Sequence, residues 1–413
     1  MTGEPAMATG AARAAAEVPP AKSPEREIEL RLILAPGDLA RLAREPALVG
    51  PAEEGARTDR VLTTYFDTDD LALAAHGLAL RVRRQGRSIV QSVKTMDRTG
   101  EGAAALAVRR EWEWPLRSGK PDPALLVRDG VADLLPPGAL DRLRPLFATD
   151  FQRTSFVIRP DPLTIVEVSL DDGEIRAGGA HRPICELELE LRSGRIDALF
   201  DLARDLHRRV PLRIAVESKA AAGFALLAGK APAAVQPDPG ALTPVATAAE
   251  GFRHVMRSGI AHMLANGPAV LAGTDAEAIH QMRAAARRLR AHLTLFAPLL
   301  AHEESARHRD ELGWLARRLG SARHWDVLRD RTLAAFCERH GPGLGVIPLR
   351  AAIEECGRAA RARAVEALRA PRATALLLDL AGWVESGRWH GGEPGAAQAR
   401  RPLLEMAPLW LGE

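Results

Sequence analysis

Carboxylates recur at every second position in two short segments of the sequence. Glu27 and Glu29 fall in EIELRLIL, and Glu186, Glu188 and Glu190 fall in CELELEL. Side chains alternate between the two faces of a β-strand, so each set shares one face, with neighbours roughly 7 Å apart. At an effective dielectric constant near 20, two such carboxylates repel each other by about 2 kcal/mol. If these faces are buried, cations must compensate them, and clustered oxygen ligands also suit a hard divalent cation such as Mg²⁺.

Basic side chains follow the same period on other segments. Arg81 and Arg83 share one face of LRVRR, and Lys94 ends a strand pattern in SVKT. Arginine and lysine around a divalent cation suit a phosphate chain. The pattern therefore predicts metal-assisted attack of water on a phosphoryl group, with the cations carrying the charge of the transition state. The other polar residues that follow this alternation are Arg31, Arg109, Glu111, Glu113, Glu167, Ser169 and Asp171.

The elements that must position these residues are mostly β-strands. A closed antiparallel barrel is favoured, because closure removes the unpaired edges of so many strands. One parity of each strand then faces the lumen. Either the charged faces meet water around an apolar interior, or they line the lumen while helices cover the apolar faces outside. The predicted strands are Glu27–Leu34, Val61–Asp67, Leu78–Arg84, Ser88–Thr95, Leu106–Leu116, Gln152–Arg159, Thr164–Leu170, Glu174–Gly178 and Ile184–Leu191, and the predicted helices are Gly37–Glu45, Ala124–Phe147 and Arg195–Arg209.

Composition divides the chain into four parts. Residues 1–24 are rich in Ala, Gly and Pro and are predicted to be a disordered tail, and residues 25–230 hold the strands. Residues 231–247, APAAVQPDPGALTPVAT, are typical of a linker, and helical periodicity in residues 248–413 predicts an all-α domain. The net charge is +3, but from Gly251 onward 23 Arg and no Lys accompany 17 acidic residues, which favours anionic partners.

A basic stripe follows one face of the helix predicted between Ile279 and Phe296. His280, Arg283, Arg287 and Arg290 repeat at helical spacing beside an apolar stripe. On spacing alone, a solvated arginine face is the ordinary interpretation. Aromatic side chains that could stack on bases are not interleaved with the stripe, so nucleic acid is not favoured as a partner.

Several classes of protein are excluded. The three cysteines, Cys185, Cys337 and Cys356, have no metal-binding spacing and form no disulfide framework, which favours a reducing compartment. No apolar run approaches the length of a membrane span, and the N-terminal segment lacks the apolar core of a signal peptide. We therefore expect a cytoplasmic protein without a membrane partner, and the sequence leaves its oligomeric state open.

The charged segments together resemble the CYTH superfamily, the triphosphate tunnel metalloenzymes. EIELR is similar to the ExExK signature of that family, with Arg31 in place of the usual lysine. The resemblance covers about residues 25–230. The further matches follow in the family's order: YFDT at Tyr65–Thr68, LRVRR at Leu80–Arg84, SVKT at Ser92–Thr95, RREWEW at Arg109–Trp114, FQRT at Phe151–Thr154, SLDDGEI at Ser169–Ile175, CELELEL, and Ser218-Lys219.

This resemblance implies an α+β fold, an eight-stranded antiparallel β tunnel with flanking helices, followed by the all-α helical bundle domain. It implies Mg²⁺ or Mn²⁺ as the cofactor, held by Glu27, Glu29, Glu186 and Glu188. Glu111 and Asp171 would place the metal-bound or attacking water, and Lys219 would contribute to both catalysis and substrate binding. The triphosphate oxygens would be bound by Arg31, Arg81, Arg83, Lys94, Arg109, Arg153 and Lys219.

The pattern HxxRxxxRRLR in the basic helix resembles the CHAD domain, which often follows CYTH in one chain. LGSARHWDVLRD at Leu319–Asp330 extends the match. Because no second HxxRxxxRRLR follows Phe296, we expect the first half of that domain only. The family binds inorganic polyphosphate through a basic surface, which implicates His280, Arg283, Arg287 and Arg290, with Arg317, Arg318, Arg323 and Arg329 as further candidates.

The function expected first is a metal-dependent inorganic triphosphatase that cleaves tripolyphosphate to pyrophosphate and phosphate and carries a module for long-chain polyphosphate. A second possibility is another tunnel activity, on thiamine triphosphate or nucleoside triphosphates, or an adenylyl cyclase. A third is a non-catalytic protein that binds or targets polyphosphate.

Overall fold

The structure is a computed structural model. The tail predicted for residues 1–24 lies outside the residues that it describes. At residues 25, 26 and 109 it describes the backbone alone. The described residues are 25–50, 55–96, 105–238, 240–273, 275–341, 343 and 345–411.

The N-terminal half is built on one antiparallel sheet that closes on itself. The strand order is β5-β4-β3-β2-β6-β7-β8-β1-β9, and β1 also pairs with β5, so that eight strands form a barrel with the short β9 added beside β1. The predicted antiparallel tunnel is confirmed. The strands are β1 (Glu25–Ile33), β2 (Arg57–Asp67), β3 (Leu78–Gln85), β4 (Ser88–Thr95), β5 (Leu106–Pro115), β6 (Arg144–Asp161), β7 (Thr164–Ala177), β8 (Ala180–Ser193) and β9 (Arg213–Ile214).

Helices cover the outside of this barrel. The alternate apolar residues of β1, Leu30 and Leu32, are fully buried in one hydrophobic core with Leu199 and Phe200, which lie in the covering helix α5. Of the two arrangements left open by the sequence, the one with charges facing the lumen is therefore correct. The helices are α1 (Pro36–Leu42), α2 (Pro46–Val49), α3 (Ala72–Ala75), α4 (Pro123–Arg128), α5 (Asp197–His207) and α6 (Lys219–Leu227).

One predicted helix, Ala124–Phe147, is wrong. Only α4 and two 3₁₀ turns form there, Val131–Leu134 and Leu140–Arg142, and β6 already begins at Arg144. Gly130 and Gly138 adopt φ values of +71° and +69°, which end a helix, and the Pro-Pro pair between them cannot continue one.

Two predicted strands, Thr164–Leu170 and Glu174–Gly178, are one continuous strand, β7. Gly173 lies in its interior, where an added Cβ would come within 2.2 Å of the Asp150 carbonyl oxygen on β6. A glycine that reads as a turn in the sequence is here required by close contact between two strands.

The C-terminal half is helical, as predicted, and residues 231–238 before it form no helix or strand. Its first helix begins with a capping box, in which Thr247 and Glu250 satisfy each other's backbone N–H groups. Within the described residues, no helix combines the length and the apolar character needed to cross a membrane. The helices are α7 (Ala248–Ala272), α8 (Ala276–Leu295), α9 (His302–Val327), α10 (Ala334–His340), α11 (Val346–Arg369), α12 (Pro371–Ser386), α13 (Gly392–Ala399) and α14 (Leu403–Leu411), with a π-helical turn at Leu328–Leu333.

The two halves pack against each other through α5 and α12. Gly382 of α12 lies on Phe200, close enough that an added Cβ would be 2.8 Å from the Phe200 Cβ atom. Arg204 of α5 forms an ion pair with Asp379 at 3.0 Å. One hydrophobic core therefore continues from the barrel into the helical half.

Candidate active site

The barrel encloses a polar cavity of about 590 Å³. Its walls are built by cross-strand pairs of opposite charge: Arg31 lies opposite Glu188, Lys94 opposite Glu111, and Arg153 opposite Asp171. These pairs help the closed barrel to tolerate its charges, because each of the three cations lies opposite a carboxylate on the next strand. The lining includes Glu27, Glu29, Arg31, Arg81, Arg83, Lys94, Glu111, Arg153, Glu188, Glu190 and Lys219.

One acidic cluster lies where β7 and β8 meet the start of α6. Carboxylate oxygens of Asp171, Glu186 and Glu188 all lie within 4.8 Å of one another. Lys219 Nζ contacts all three carboxylates, at 2.8, 2.5 and 2.7 Å. Arg153 adds contacts of 2.6 Å to Asp171 and 2.5 Å to Glu188. Three hard oxygen donors fit a divalent cation such as Mg²⁺, which would share its ligands with the Lys219 ammonium.

Electrostatic interactions within this cluster keep Glu188 and Lys219 ionised. Burial alone would raise the pKa of Glu188, but Lys219 and Arg153 together hold it well below its usual range. Burial likewise opposes the charge on Lys219, yet the surrounding carboxylates, Asp171 first, raise the pKa of the ammonium well above its usual value. Glu188 therefore offers anionic oxygens, not a proton, at neutral pH.

A second charged group lies across the lumen on β1, β4 and β5. Lys94 Nζ donates to Glu27 Oε2 at 2.8 Å and lies 2.8 Å from Glu111 Oε2, while Arg81 donates to Glu111 Oε1 at 2.9 Å. Burial opposes ionisation of Glu111, but Arg81 and Lys94 lower its pKa to about 2. Glu111 therefore remains an acceptor that can orient a water molecule. Arg83 donates to Glu113 at 3.0 Å.

The four predicted metal ligands lie in two separate groups in the structure. Glu186 and Glu188 lie together and are joined by Asp171, whereas Glu27 binds Lys94 and Glu29 lies 3.2 Å from Arg31 Nε. The predicted cations face the same lumen, apart from Arg109, which lies on β5 with its side chain outside the described part of the structure.

Sequence reasoning gave no role to three further lining residues. Tyr65 lies close to the Arg81 guanidinium, and the Phe151 ring lies 5.5 Å from Arg153 Cζ and 5.3 Å from Lys219 Nζ. Glu190 has its pKa raised to about 7, first by burial and then by Glu27. The YFDT, FQRT and CELELEL motifs contain all three, but only the strand register shows that they face the lumen.

The basic stripe of the helical half lies along the seam between α8 and α9. Gly320 of α9 lies against Arg283, and Gly313 lies between Arg290 and Arg317, so small residues make room for guanidinium groups from both helices. Arg287 is exposed and His280 is half-buried. Within the described residues, no ion pair with a carboxylate forms at Arg283, Arg287, Arg290 or Arg317. Their charge is therefore available to an anion.

Comparison with known proteins gives the following matches. The CYTH domain profile matches residues 25–224, and the CHAD domain profile matches residues 254–411. An inorganic triphosphatase of Haemophilus influenzae is 34% identical over 164 residues, which span 40% of this chain and 45% of the relative.

Two solved structures are also similar. The CHAD domain from the plant Ricinus communis has 34% identity over 37% of this chain and 50% of its own, with a TM-score of 0.33. A putative adenylyl cyclase from Hippeastrum with a dominant triphosphatase activity has 21% identity over 49% of this chain and 96% of its own, with a TM-score of 0.36. By its domain matches, the chain belongs to the CYTH family through residues 25–224 and to the CHAD family through residues 254–411.

Proposed function

We propose that this protein is a divalent-metal-dependent inorganic triphosphatase that hydrolyses tripolyphosphate to pyrophosphate and phosphate. The observation that carries this proposal is the lumen, where at least five cationic side chains line the same closed barrel as an acidic cluster. They are Arg81, Arg83, Lys94, Arg153 and Lys219. The inorganic triphosphatase relative supports the same activity.

The positions of the residues support the following roles. Asp171, Glu186 and Glu188 would hold Mg²⁺ or Mn²⁺, and Glu27 and Glu29 lie on the adjacent lumen wall as the further predicted ligands. When bound, the metal would neutralise phosphate charge and orient water. The lumen cations bind the phosphate oxygens and stabilise the negative charge that develops during attack on the terminal phosphorus.

The hydrolysis needs one water molecule. Its oxygen forms a bond to the terminal phosphorus, the bridging P–O bond breaks, and pyrophosphate leaves with the electrons of that bond, while the water protons stay on the released phosphate or pass to solvent. Glu111, whose pKa is lowered to about 2, is ionised at neutral pH. It accepts a hydrogen bond from the attacking water and so orients it. Lys219 and Arg153 remain protonated through the reaction, because their pKa values are raised well above the usual range.

Phosphate release from tripolyphosphate, measured with a divalent-metal titration, tests this proposal. We expect Glu186→Gln to lower kcat/KM by about 100-fold or more, because it removes one oxygen anion from the cluster. Glu174→Gln is the matched control: Glu174 is a carboxylate of the same sheet that binds Arg176 outside the lumen. Equal activity of the wild type and Glu186→Gln would contradict the proposed site, and preference for thiamine triphosphate or ATP would favour the second tunnel activity.

The helical half supports a second role, binding of long-chain polyphosphate. The observation that supports this role is that Arg290 and Arg317 both lie against Gly313. Within the described residues, neither arginine forms an ion pair with a carboxylate. The double variant Arg283→Ala/Arg287→Ala should weaken polyphosphate binding at least about tenfold and make it less salt-dependent. Arg401→Ala, which removes a guanidinium already paired with Glu405, is the control. Unchanged polyphosphate binding in the double variant would contradict the proposed surface.

A different result would favour a non-catalytic protein: tight binding of tripolyphosphate by the wild type without any release of phosphate.

A further inference from the structure

Arg31 differs from the other lumen cations in how little of it is accessible. Its side chain is 4% exposed, whereas that of Lys219 is 10% exposed and that of Arg153 is 19% exposed. A covered guanidinium offers less of its surface to a substrate than its neighbours do. The groups that it binds within the protein therefore indicate its role.

The Arg31 guanidinium binds the chain just before α6. Its Nη2 donates to the Val216 carbonyl oxygen at 3.2 Å, and its Nε lies 3.2 Å from Glu29 Oε1. The Arg31 carbonyl oxygen also accepts a hydrogen bond from Ala215 N at 2.9 Å. One residue thus holds two consecutive residues, one through its backbone and the other through its side chain. The planar guanidinium places Nη2 on the Val216 carbonyl oxygen and Nε beside Glu29 at the same time, and the single nitrogen of a lysine ammonium does not reproduce this arrangement.

The segment held in this way leads directly to Lys219. Ser218 caps α6, with its Oγ accepting from Ala221 N at 3.1 Å, and Lys219 is the first residue of the helix. The Lys219 ammonium then reaches the carboxylates of the acidic cluster at 2.5 to 2.8 Å. A displacement of about 1 Å at the start of α6 would break these contacts, and displacements of that size cost about 100-fold in rate.

We infer that Arg31 is a positioning residue that ties β1 to residues 215–216 and thereby fixes Lys219 in the acidic cluster. This inference rests on the proposed function, in which Lys219 belongs to the catalytic machinery. If Arg31 were a simple phosphate ligand, Arg31→Lys would keep the positive charge and the turnover. If Arg31 is a positioning residue, the same substitution loses the guanidinium fork, so turnover falls even though lysine is the usual residue of the family.

Amide hydrogen exchange together with steady-state kinetics tests the inference. In Arg31→Lys and Arg31→Met, we expect the amides of Ala215, Ala221 and Ala222 to exchange about tenfold faster, because their hydrogen bonds depend on the tethered segment. We also expect kcat to fall about tenfold or more, with KM changing less than about threefold. Arg83→Met is the matched control. Arg83 is a lumen cation that binds Glu113 instead, so its loss should raise KM and leave exchange at these amides unchanged.

Unchanged exchange at these amides in both Arg31 variants would overturn the inference, as would a rise in KM with constant kcat. The second result would make Arg31 a direct substrate ligand. Amide exchange is measured without turnover. A wild-type protein without triphosphatase activity would contradict the proposed function, and the exchange data would still show whether Arg31 holds residues 215–216 in place. If Arg31→Met does not fold, Arg31→Lys provides both readouts.

Discussion

Lys219 is the residue on which the electrostatics of the tunnel depend most. Its ammonium contacts three carboxylates, and together with Arg153 it compensates two of their three charges. The protein thus brings the acidic cluster close to neutrality with its own side chains. A divalent cation held by Asp171, Glu186 and Glu188 would use the same oxygens, so the ammonium and the metal would compete electrostatically for them.

Replacement of this ammonium should make the protein depend on metal for stability. In Lys219→Met, three buried carboxylates lose a shared partner, and we expect the free energy of unfolding to fall by about 3 kcal/mol without metal. Saturating Mg²⁺ should recover most of that loss, because it replaces the missing positive charge. Urea unfolding with and without Mg²⁺ measures both effects.

Lys120→Met, at an exposed loop lysine, is the control for this variant and should show neither change. If Mg²⁺ stabilises Lys219→Met no more than it stabilises the wild type, the acidic cluster is not the metal site.

The paired strands β6 and β7 form the element that carries Arg153 and Asp171. They pair along most of their length, and Gly173 lies opposite Phe151, where an added Cβ would be 2.4 Å from the Phe151 Cα atom. Because the obstructing atoms belong to the backbone, they cannot rotate away. The strand must shift instead. The shift would also displace Asp171, which lies two residues before Gly173 in the same strand.

Gly173→Ala should therefore be strongly destabilising. We expect a loss of about 2–4 kcal/mol in the free energy of unfolding, measured by urea denaturation, from overpacking between two strands. Gly37→Ala in α1 is the matched control. An added Cβ there meets nothing within 4 Å, so the substitution should be neutral or stabilising by up to about 1 kcal/mol. Equal stability of Gly173→Ala and the wild type would contradict the close approach.

The elements differ in how far the sequence reveals them. Strands such as β1 and β8 are predictable because one face is apolar and the other charged. Helix α6 is not, because KAAAGFALL is apolar on nearly all sides and has no amphipathic stripe. The charged residues of the lumen are predictable from alternation and family resemblance. The acidic cluster is not, because Asp171 meets Glu186 only through the β7–β8 register, and Arg31 meets Val216 only through tertiary packing.

At the scale of the whole molecule, the tunnel and the helical half are joined by one core. His308 of α9 lies at 2% exposure against Trp383 of α12, the same helix that contacts α5. Burial lowers the pKa of His308 to about 4, with Arg307 and Arg204 lowering it further while Asp379 and Glu311 oppose them. The folded protein therefore holds this imidazole neutral at a pH where an unfolded histidine is protonated.

This buried histidine predicts a loss of stability in acid. Its stabilising contribution is complete above the unfolded pKa of 6.5 and is lost as the pH falls toward the folded value of about 4. A shift of this size corresponds to about 3 kcal/mol. We expect the unfolding free energy of the wild type, minus that of His308→Leu, to fall by about this amount between neutral pH and the folded pKa of His308. Subtraction of the variant removes the carboxylate contributions, and a difference that stays constant with pH would contradict the buried neutral histidine.

The products formed from tripolyphosphate test the central claim most directly. Phosphorus NMR of tripolyphosphate incubated with the purified protein and Mg²⁺ or Mn²⁺ resolves tripolyphosphate, pyrophosphate and phosphate as separate signals. If the charged lumen is a triphosphatase site, pyrophosphate and phosphate appear in equal amounts, and they do so only with a divalent metal. Tripolyphosphate that remains intact with either metal, or equal turnover without any metal, would contradict the assignment.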